Sequence, residues 1–253
     1  MNPNAYIRSI IRKYRITNEQ REKIERVSRR IYPIIRRWSY EHLIRITKIG
    51  SFVKNTKINI GSDIDLFISL KHTIPVSLRD MYLSLFYYLK FHGYNVKEQN
   101  VSLNVNFNNI SIDLVPGKKQ EGLIGDHSLY KKKSDSWIKT NVYRHIKYVK
   151  DANCSAEIKV LKIWKHIFEL DIPSTYLELM IIEALRGYSK KTISQSIIHI
   201  LEYLYDNIEN KAVIDPTNSN NMISDEIGSR QKHQIKQKAV ECLNSNSWNY
   251  IIW

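Results

Sequence analysis

Residues 50–68 read GSFVKNTKINIGSDIDLFI, and this stretch decides which fold and chemistry the sequence predicts. Gly50-Ser51 directly follows a short predicted strand, where backbone amides and a small hydroxyl can face a phosphate without steric obstruction. Asp63 and Asp65 lie at the start of the next predicted strand, and because strand side chains alternate, the two carboxylates share one face. Two such carboxylates repel each other unless a cation lies between them, and Mg²⁺, which prefers hard oxygen ligands, is the obvious candidate.

A third carboxylate stands in the apolar run ISIDLVP at residues 110–116. Aspartate is unfavourable among β-branched strand residues, and Asp113 alternates in phase with Ser111, on the face opposite the apolar side chains. If this strand lies beside the strand of Asp63 and Asp65, three carboxylates converge. That arrangement can hold two metal ions about 3.5–4 Å apart for in-line phosphoryl chemistry. Each piece alone is common in strands and turns, and only the combined pattern predicts a metal site.

The two parts of the chain differ in their predicted elements. The first part combines helices and strands: a helix over Thr17–Tyr40 opened by a capping box, strands over Arg45–Ile49 and Ile64–Leu70, a helix over Ser77–His92, and a hairpin with arms at 101–107 and 110–114 that turns at Asn108-Asn109. The second part contains predicted helices over 155–170, 174–187, 192–208 and 229–243, with a loop at 216–221. We therefore predict an α+β fold, with a catalytic lobe over residues 1–150 and a helical lobe over residues 151–253.

Composition excludes several classes of protein. The chain has 253 residues, of which 43% are hydrophobic and 25% charged, so it can bury a core and is neither disordered nor collagen-like. No stretch approaches the roughly 18 consecutive apolar residues of a membrane span. Two cysteines, Cys154 and Cys242, and no secretory signal favour a reducing cytoplasm.

Positive charge is concentrated in two regions. The formal net charge is +14, and residues 1–50 hold 13 Lys or Arg against four Glu, while residues 117–150 hold nine Lys or Arg against three acidic residues. Clustered positive charge attracts polyanions such as nucleic acid or nucleoside triphosphates. A solvated helix face without a partner is the alternative, and a removable transit peptide is a weaker one, since the basic amphipathic pattern continues past residue 30 with acidic residues mixed in.

Taken together, these residues resemble a known superfamily. Gly50-Ser51, Thr56, the run SDIDL at 62–66 and the later Asp113 resemble the DNA polymerase β-type nucleotidyltransferases. Three later segments resemble the branch of 2′-5′-oligoadenylate synthetases, bacterial cGAS/DncV-like enzymes and archaeal-type CCA-adding enzymes; they are EIKVLKIWK at 157–165, PSTYLE at 173–178 and IDP at 214–216 with Asn220-Asn221. The resemblance implies two lobes: a mixed-sheet, polymerase β-like palm and a helical second lobe.

The resemblance also implies a role for each matching residue. Asp63 and Asp65 would ligate two Mg²⁺ ions, with Mn²⁺ as an alternative, and Asp113 would complete the site and help activate the attacking ribose hydroxyl. Gly50 and Ser51 would hold the β- and γ-phosphates of ATP or another NTP. The reaction would be attack of a 2′- or 3′-hydroxyl on an α-phosphate, with pyrophosphate leaving.

Two further residues would reach the triphosphate from the helical lobe, namely Lys162 and Ser174. The residue pattern itself also fits roles without a ligand. Lys162 lies beside the apolar stripe of its helix, as a surface lysine also would, and Ser174 is placed to cap a helix after Pro173. Tyr176 fits a core position, and Asp215-Pro216 is typical of a turn.

Three functions fit this pattern. The first is synthesis of a cyclic or short oligonucleotide second messenger, as in bacterial antiphage defence. The second is addition of nucleotides to an RNA 3′ end, with the basic regions binding RNA, and the third is a non-catalytic nucleic-acid sensor of the same fold. All three carboxylates are present, which disfavours the third. The chain ends at Trp253 soon after its last predicted helix, and the absence of a tail domain to grip tRNA favours the first.

Overall fold

The computed structural model describes residues 2–60, 64–107, 110–189 and 192–253, and the chain divides into two compact units. The sheet unit comprises residues 16–53 and 61–146, and the helical unit comprises residues 1–15, 54–60 and 147–253. Where the sequence predicts one boundary at residue 150, the structure therefore groups two early segments with the later helices. The reason is packing, because Ile7, Ile10 and Ile58 are buried in the core of the helical unit.

The sheet unit is built on a mixed sheet, as the sequence predicts. Its elements are α2 (Asn18–Ser39), β1 (Leu43–Ile49), α3 (Gly50–Val53), β2 (Ile64–Leu70), α4 (Leu78–Phe91), β3 (Asn95–Glu98), β4 (Leu103–Phe107), β5 (Ile110–Lys119), β6 (His127–Lys131) and β7 (Ser136–Thr140). The strand order is β1-β2-β5-β4-β3, and β6 pairs with both β5 and β7. Among the strand pairs of the described residues, β2 and β5 run parallel and the others are antiparallel.

One face of this sheet carries the core of the unit. Leu66, Ile68 and Leu114 are fully buried there with the apolar stripes of α2 and α4. Removing one such side chain, as in Leu66→Ala, costs about 2–5 kcal/mol because the cavity it leaves closes only in part. Side chains alternate between the two faces along a strand. The residues of β2 and β5 that lie between these core residues therefore point to the opposite face of the sheet, and Asp65 and Asp113 are among them.

The helical unit packs its helices around a second core. Its elements are α1 (Pro3–Lys13), α6 (Ser155–Ile167), α7 (Ser174–Ala184), α8 (Ile193–Asn207), β8 (Ile214–Asp215), β9 (Asn218–Met222) and α9 (Ser229–Leu243), and α5 (Val142–Asp151) crosses the boundary between the units along the chain. Trp164 and Tyr176 are the largest of its fully buried side chains. No helix in the described chain is both long enough and apolar enough to cross a membrane.

Several local predictions need correction. The loop expected at 216–221 contains a strand of a small hairpin, in which β8 pairs with β9. Helices α1 and α5 and strands β3, β6 and β7 are not among the predicted elements, although both helices are amphipathic and their apolar period was a visible signal. The predicted turn at Asn108-Asn109 lies outside the described residues. The predicted capping box at Thr17 is confirmed, since Thr17 and Gln20 exchange side chain to backbone hydrogen bonds.

Candidate active site

Two of the predicted carboxylates lie side by side on the sheet. Strands β2 and β5 run parallel, and Asp65 is the direct partner of Asp113 in their register. Neighbouring strands are about 4.8 Å apart, so these two side chains leave the same face next to each other. The convergence expected from the sequence depended on these two strands being neighbours, which they are. Asp63, the third predicted carboxylate, lies outside the described residues.

The Gly50 turn lies directly against one of these carboxylates. Ile49, the last residue of β1, pairs with Asp65, and Gly50 then turns the chain with a φ of +69°. A Cβ at position 50 would overlap the Asp65 carboxylate, so any side chain there would force Asp65 to move. Ser51 follows within α3, half-buried. The structure therefore brings Gly50, Ser51, Asp65 and Asp113 together, in the sheet unit.

Asn104 belongs to the same cluster, although the sequence pattern did not single it out. It faces Asp113 across the antiparallel pair of β4 and β5. Its side-chain amide donates to Asp113 Oδ1 at 2.6 Å and lies 2.5 Å from Ser111 Oγ. Hydrogen bonds to an ionised acceptor are stronger than neutral ones, so this contact fixes the orientation of the Asp113 carboxylate. The signal was present in the run LNVNF, whose asparagines alternate with the apolar residues used to predict the strand.

The donor set of this cluster fits magnesium. It offers carboxylate oxygens on neighbouring strands beside a glycine turn, and Mg²⁺ prefers hard oxygen ligands. Among the described residues, no group of three or more His, Cys, Asp or Glu is placed to hold a metal ion, and that set does not include Asp63. The residues that would hold the metal are therefore Asp65 and Asp113, with Asp63 as a predicted third ligand.

Lys162 lies in the helical unit, in a buried ion-pair cluster. Its ammonium donates to Glu178 Oε1 at 2.6 Å and to Thr56 Oγ1 at 3.1 Å, and Lys54 donates to the other oxygen of the same carboxylate at 2.8 Å. All four side chains are buried, so Lys162 is not a surface lysine. Its predicted contact with a triphosphate stays a prediction.

Charge is balanced unevenly in this cluster, because two lysines share one glutamate. Burial by itself raises the pKa of the Glu178 carboxyl, but the ammonium groups of Lys162 and Lys54 more than offset this and hold the pKa below its ordinary value. Glu178 is thus a buried carboxylate kept charged by its partners. Neither Glu178 nor Lys54 was predicted as a site residue, although a glutamate inside the apolar run TYLELMII was a visible signal.

The remaining predicted residues have clear positions. Ser174 is exposed as the first residue of α7. Pro173 occupies the N-cap without a side-chain hydrogen bond, so the alternative that Ser174 caps the helix is wrong, and its predicted contact with a triphosphate stays a prediction. Tyr176 is fully buried, which confirms its predicted core position. Asp215 accepts hydrogen bonds from the backbone and hydroxyl of Thr217 at 2.7 and 2.8 Å, which confirms its role in a turn.

Comparison with known proteins identifies the fold. No protein-family model matches the sequence, and no curated protein does. Among solved structures, CdnC of E. coli MS115-1 with ATP is 17% identical at a TM-score of 0.78, covering 98% of this chain and 94% of that one. CdnG of Bradyrhizobium diazoefficiens, a CD-NTase in complex with GTP, is 11% identical at a TM-score of 0.78, and the match covers 95% of this chain and 91% of that one.

A third solved structure has the same fold. CdnE of Elizabethkingia meningoseptica, a cyclic dinucleotide synthase with GTP and Apcpp, is 14% identical at a TM-score of 0.66, covering 90% of this chain and 92% of that one. The similarity in each case extends over nearly the whole chain. The two-lobed α+β fold predicted from the sequence motifs is therefore confirmed as the fold of the CdnC, CdnG and CdnE structures.

Proposed function

We propose that this protein is a Mg²⁺-dependent nucleotidyltransferase that joins nucleoside triphosphates. The observation that carries the proposal is the pairing of Asp65 with Asp113 in register, beside the Gly50 turn. The fold supports it, since structures of the same fold hold ATP or GTP. The cluster of buried lysines around Glu178 does not carry the proposal, because such ion pairs occur in many folds. Two aspartates in register beside a glycine turn suit phosphoryl transfer.

The reaction joins two nucleotides and needs no reactant besides the two triphosphates. A ribose hydroxyl oxygen forms a bond to the α-phosphorus of a second triphosphate, the bond from that phosphorus to its bridging oxygen breaks, and pyrophosphate leaves with the electron pair. The hydroxyl proton passes to a nearby base or to water. When bound, Mg²⁺ would supply charge neutralisation for the phosphates and for the attacking and leaving oxygens.

The chain's own residues position these groups. Asp65 and Asp113 would hold the metal on one face of the sheet, and Asn104 keeps the Asp113 carboxylate in one orientation. The Gly50-Ser51 turn would offer backbone amides and a hydroxyl to the donor phosphates, and the absence of a Cβ at Gly50 lets the Asp65 carboxylate lie directly against the turn. Catalysis of this kind rests on positioning and electrostatics, since the protein forms no covalent bond to the substrate.

We further propose that the product is a cyclic or short oligonucleotide second messenger that acts in bacterial antiphage defence, in the cytoplasm. Support comes from CdnE, described as a cyclic dinucleotide synthase, and from the two cysteines, both buried free thiols that fit a reducing compartment. Addition of nucleotides to an RNA 3′ end is the second candidate, favoured by the exposed basic residues of α2. A silent sensor of the same fold is disfavoured by the retained carboxylates.

A product assay separates these candidates. Purified protein with Mg²⁺ and a mixture of four labelled NTPs should release pyrophosphate and form short oligonucleotides without an RNA primer, identified by mass spectrometry. Label that appears only on added tRNA would make the protein an RNA-tailing enzyme. No incorporation with either acceptor, across a range of Mg²⁺ and Mn²⁺ concentrations, would favour the sensor.

A further inference from the structure

The sheet unit contains a second concave site, away from the paired carboxylates. Its volume is about 800 Å³. It is lined by the basic side chains of Arg45, Lys119 and Arg144, by Ser69 and His127 on its floor, and by residues 122–125 at its mouth. None of these lining residues is acidic. We name this site the basic cavity.

The floor of the basic cavity is rigid and uncharged. His127 is buried, with Nε2 2.7 Å from Ser69 Oγ and Nδ1 3.0 Å from the carbonyl oxygen of Gly125. A carbonyl oxygen can only accept, so Nδ1 carries the proton and Nε2 accepts from the Ser69 hydroxyl. Burial lowers the pKa of His127, and the nearby cations of Lys119 and Arg45 lower it further, while the hydrogen bond to the Gly125 carbonyl and the carboxylate of Asp126 offset this only in part. The imidazole is therefore a neutral, fixed support.

The wall of the cavity orients one of its three cations, Arg45. The Arg45 guanidinium lies over the Tyr143 ring, 4.4 Å from its centre, which orients the planar group. Asp126, the acidic residue nearest in sequence to the floor, is buried and accepts a hydrogen bond from Asn141 at 2.7 Å. Its carboxylate also lies 4.0 Å from the ammonium of Lys139. The charge of the three lining cations is therefore not balanced by an acidic group in the lining.

A short loop forms an apolar rim beside these cations. The loop is closed at its base by a backbone hydrogen bond from Gln120 to Asp126 at 2.9 Å, and Asn141 holds the Ile124 carbonyl at 3.2 Å. At its tip the side chain of Ile124 is 93% exposed and that of Leu123 is 47% exposed. Exposed apolar groups at the mouth of a cationic cavity suit a ligand with one charged and one apolar part.

We propose that the basic cavity binds a small organic phosphate of nucleotide size, with the phosphates on Arg45, Lys119 and Arg144 and a planar or apolar part against the rim. The volume lies within the usual range for small-molecule sites. The cavity is distinct from the paired carboxylates, because Ser69 follows Asp65 by four residues along β2, about 13 Å at the rise of a strand. The proposal does not depend on the proposed catalytic function. A free nucleoside triphosphate and a cyclic dinucleotide are two sources of the same ligand chemistry.

Binding measured without divalent metal tests this proposal. The full chain carrying Asp65→Asn and Asp113→Asn, in EDTA, is titrated by calorimetry with ATP, with 3′,3′-cyclic di-AMP and with inorganic pyrophosphate. We expect one of the two nucleotides to bind at a single site, and the tighter ligand identifies the source. The added pair Lys119→Gln and Arg144→Gln should weaken that binding at least about tenfold, since each removes a charge-assisted contact. The matched pair Lys97→Gln and Lys133→Gln, exposed in the same unit, should change it less than about twofold.

Several outcomes would overturn the proposal. If the two variant pairs lose nucleotide affinity equally, the nucleotide responds only to the net charge of the protein and not to the cavity. If pyrophosphate binds as tightly as the nucleotides, and Leu123→Ser and Ile124→Ser have no effect on nucleotide binding, the cavity recognises phosphate alone and not an organic part of the ligand. Tighter binding of a 20-nucleotide single strand, weakened by the same cavity variants, would make the cavity part of a nucleic-acid surface. Thermal melting of every variant near that of the parent excludes loss of folding as the cause.

Discussion

Single residues carry the chemistry assigned to the sheet face, and Asn104 is the first to test. Asn104→Ala removes the hydrogen bond that orients Asp113 while leaving both aspartates in place. We expect kcat for pyrophosphate release to fall about tenfold or more, with little change in KM for the NTP, because the bond acts on positioning rather than on substrate binding. Asn106→Ala, an exposed asparagine on the same strand, is the control and should leave both constants unchanged. Equal rates in the two variants would contradict the positioning role.

Gly50 offers a second test with a close control. Gly50→Ala and Gly93→Ala both place a side chain at positive φ, +69° and +79°, which costs about 1–2 kcal/mol in each. Only at position 50 does the new Cβ also overlap the Asp65 carboxylate, whereas nothing lies near a Cβ at position 93. Gly50→Ala should therefore lose activity at 25 °C beyond detection, while Gly93→Ala stays active and its melting temperature falls only by the cost of positive φ. Activity in Gly50→Ala would contradict the close approach of the turn to Asp65.

The buried glutamate of the helical unit predicts a pH-dependent stability. Glu178→Gln leaves Lys54 and Lys162 buried without their counter-charge, and we expect it to lower the free energy of unfolding by about 3–5 kcal/mol at pH 7. Glu202→Gln, exposed on α8, should change it little. Urea unfolding followed by circular dichroism measures both.

The direction of the pH effect follows from the pKa of Glu178, which is held below its ordinary value of 4.5. The stability that the charged carboxylate contributes is present in full above that ordinary value and is lost as the pH falls through the lower folded-state pKa. The difference between wild type and Glu178→Gln should therefore be constant from pH 5 to 7 and shrink below about pH 4.5. A difference that grows with acidity would contradict the ion-pair assignment.

The sequence predicted the residues of the sheet site better than those of the helical cluster, for a physical reason. Strand alternation is local, so the faces of Asp65 and Asp113 followed from their neighbours, and only the pairing of β2 with β5 had to be assumed. The contact of Lys54 with Glu178 and that of Lys162 with Thr56 each join positions over one hundred residues apart. No local period encodes such a pair, and a lone glutamate in an apolar helix shows only that some partner is required.

At the scale of elements, α2 carries an exposed basic surface. Its apolar residues, including Ile24, Val27 and Ile31, are buried on the sheet, which leaves its arginines facing solvent. Exposed basic residues on this helix are Arg21, Lys23, Arg26, Arg29, Arg30, Arg36 and Arg37, against the exposed acids Glu19 and Glu22. We propose that this face contacts RNA or another polyanion.

Salt-dependent binding tests the α2 surface. Changing Arg29, Arg30, Arg36 and Arg37 to Gln should weaken binding of a duplex RNA and flatten its dependence on salt concentration, because fewer counterions are released. Four exposed lysines elsewhere, Lys71, Lys97, Lys133 and Lys150, changed to Gln remove the same charge and serve as the control. If the two sets weaken binding equally, α2 is a solvated face and not a contact surface.

The two hairpins that the sequence patterns did not predict share a feature. The β6–β7 and β8–β9 hairpins are short and polar, so they lack the apolar alternation that marked the arms of β4 and β5. Tertiary contacts rather than local preference hold them: His127 on β6, for example, is fixed by its hydrogen bond to Ser69 on β2. Strands of this kind become visible only when the neighbouring strand is known.

For the whole molecule, the chain order of the two units is the feature that the sequence did not predict. Helix α1 belongs to the core of the helical unit, although it begins the chain, and residues 54–60 return to that unit immediately after the Gly50 turn. The hydrophobic periods of these segments predict burial without saying which core receives them. The fold as a whole was predicted correctly, because the motifs that carry the resemblance stand at fixed positions of that fold. They allow it to be predicted although the chain is only 11–17% identical to solved structures of the same fold.

If Asp65 and Asp113 hold the metal of a nucleotidyltransferase, as proposed, each of them is required for turnover and neither is required for folding. Pyrophosphate release from labelled NTPs with Mg²⁺ is measured for wild type, Asp65→Asn and Asp113→Asn, beside the thermal melting of each. We predict primer-independent turnover in the wild type and a loss of at least about a thousandfold in either variant, with melting temperatures near that of the wild type, since the isosteric change removes charge and keeps shape. Turnover retained in Asp113→Asn, with the protein folded, would contradict the account.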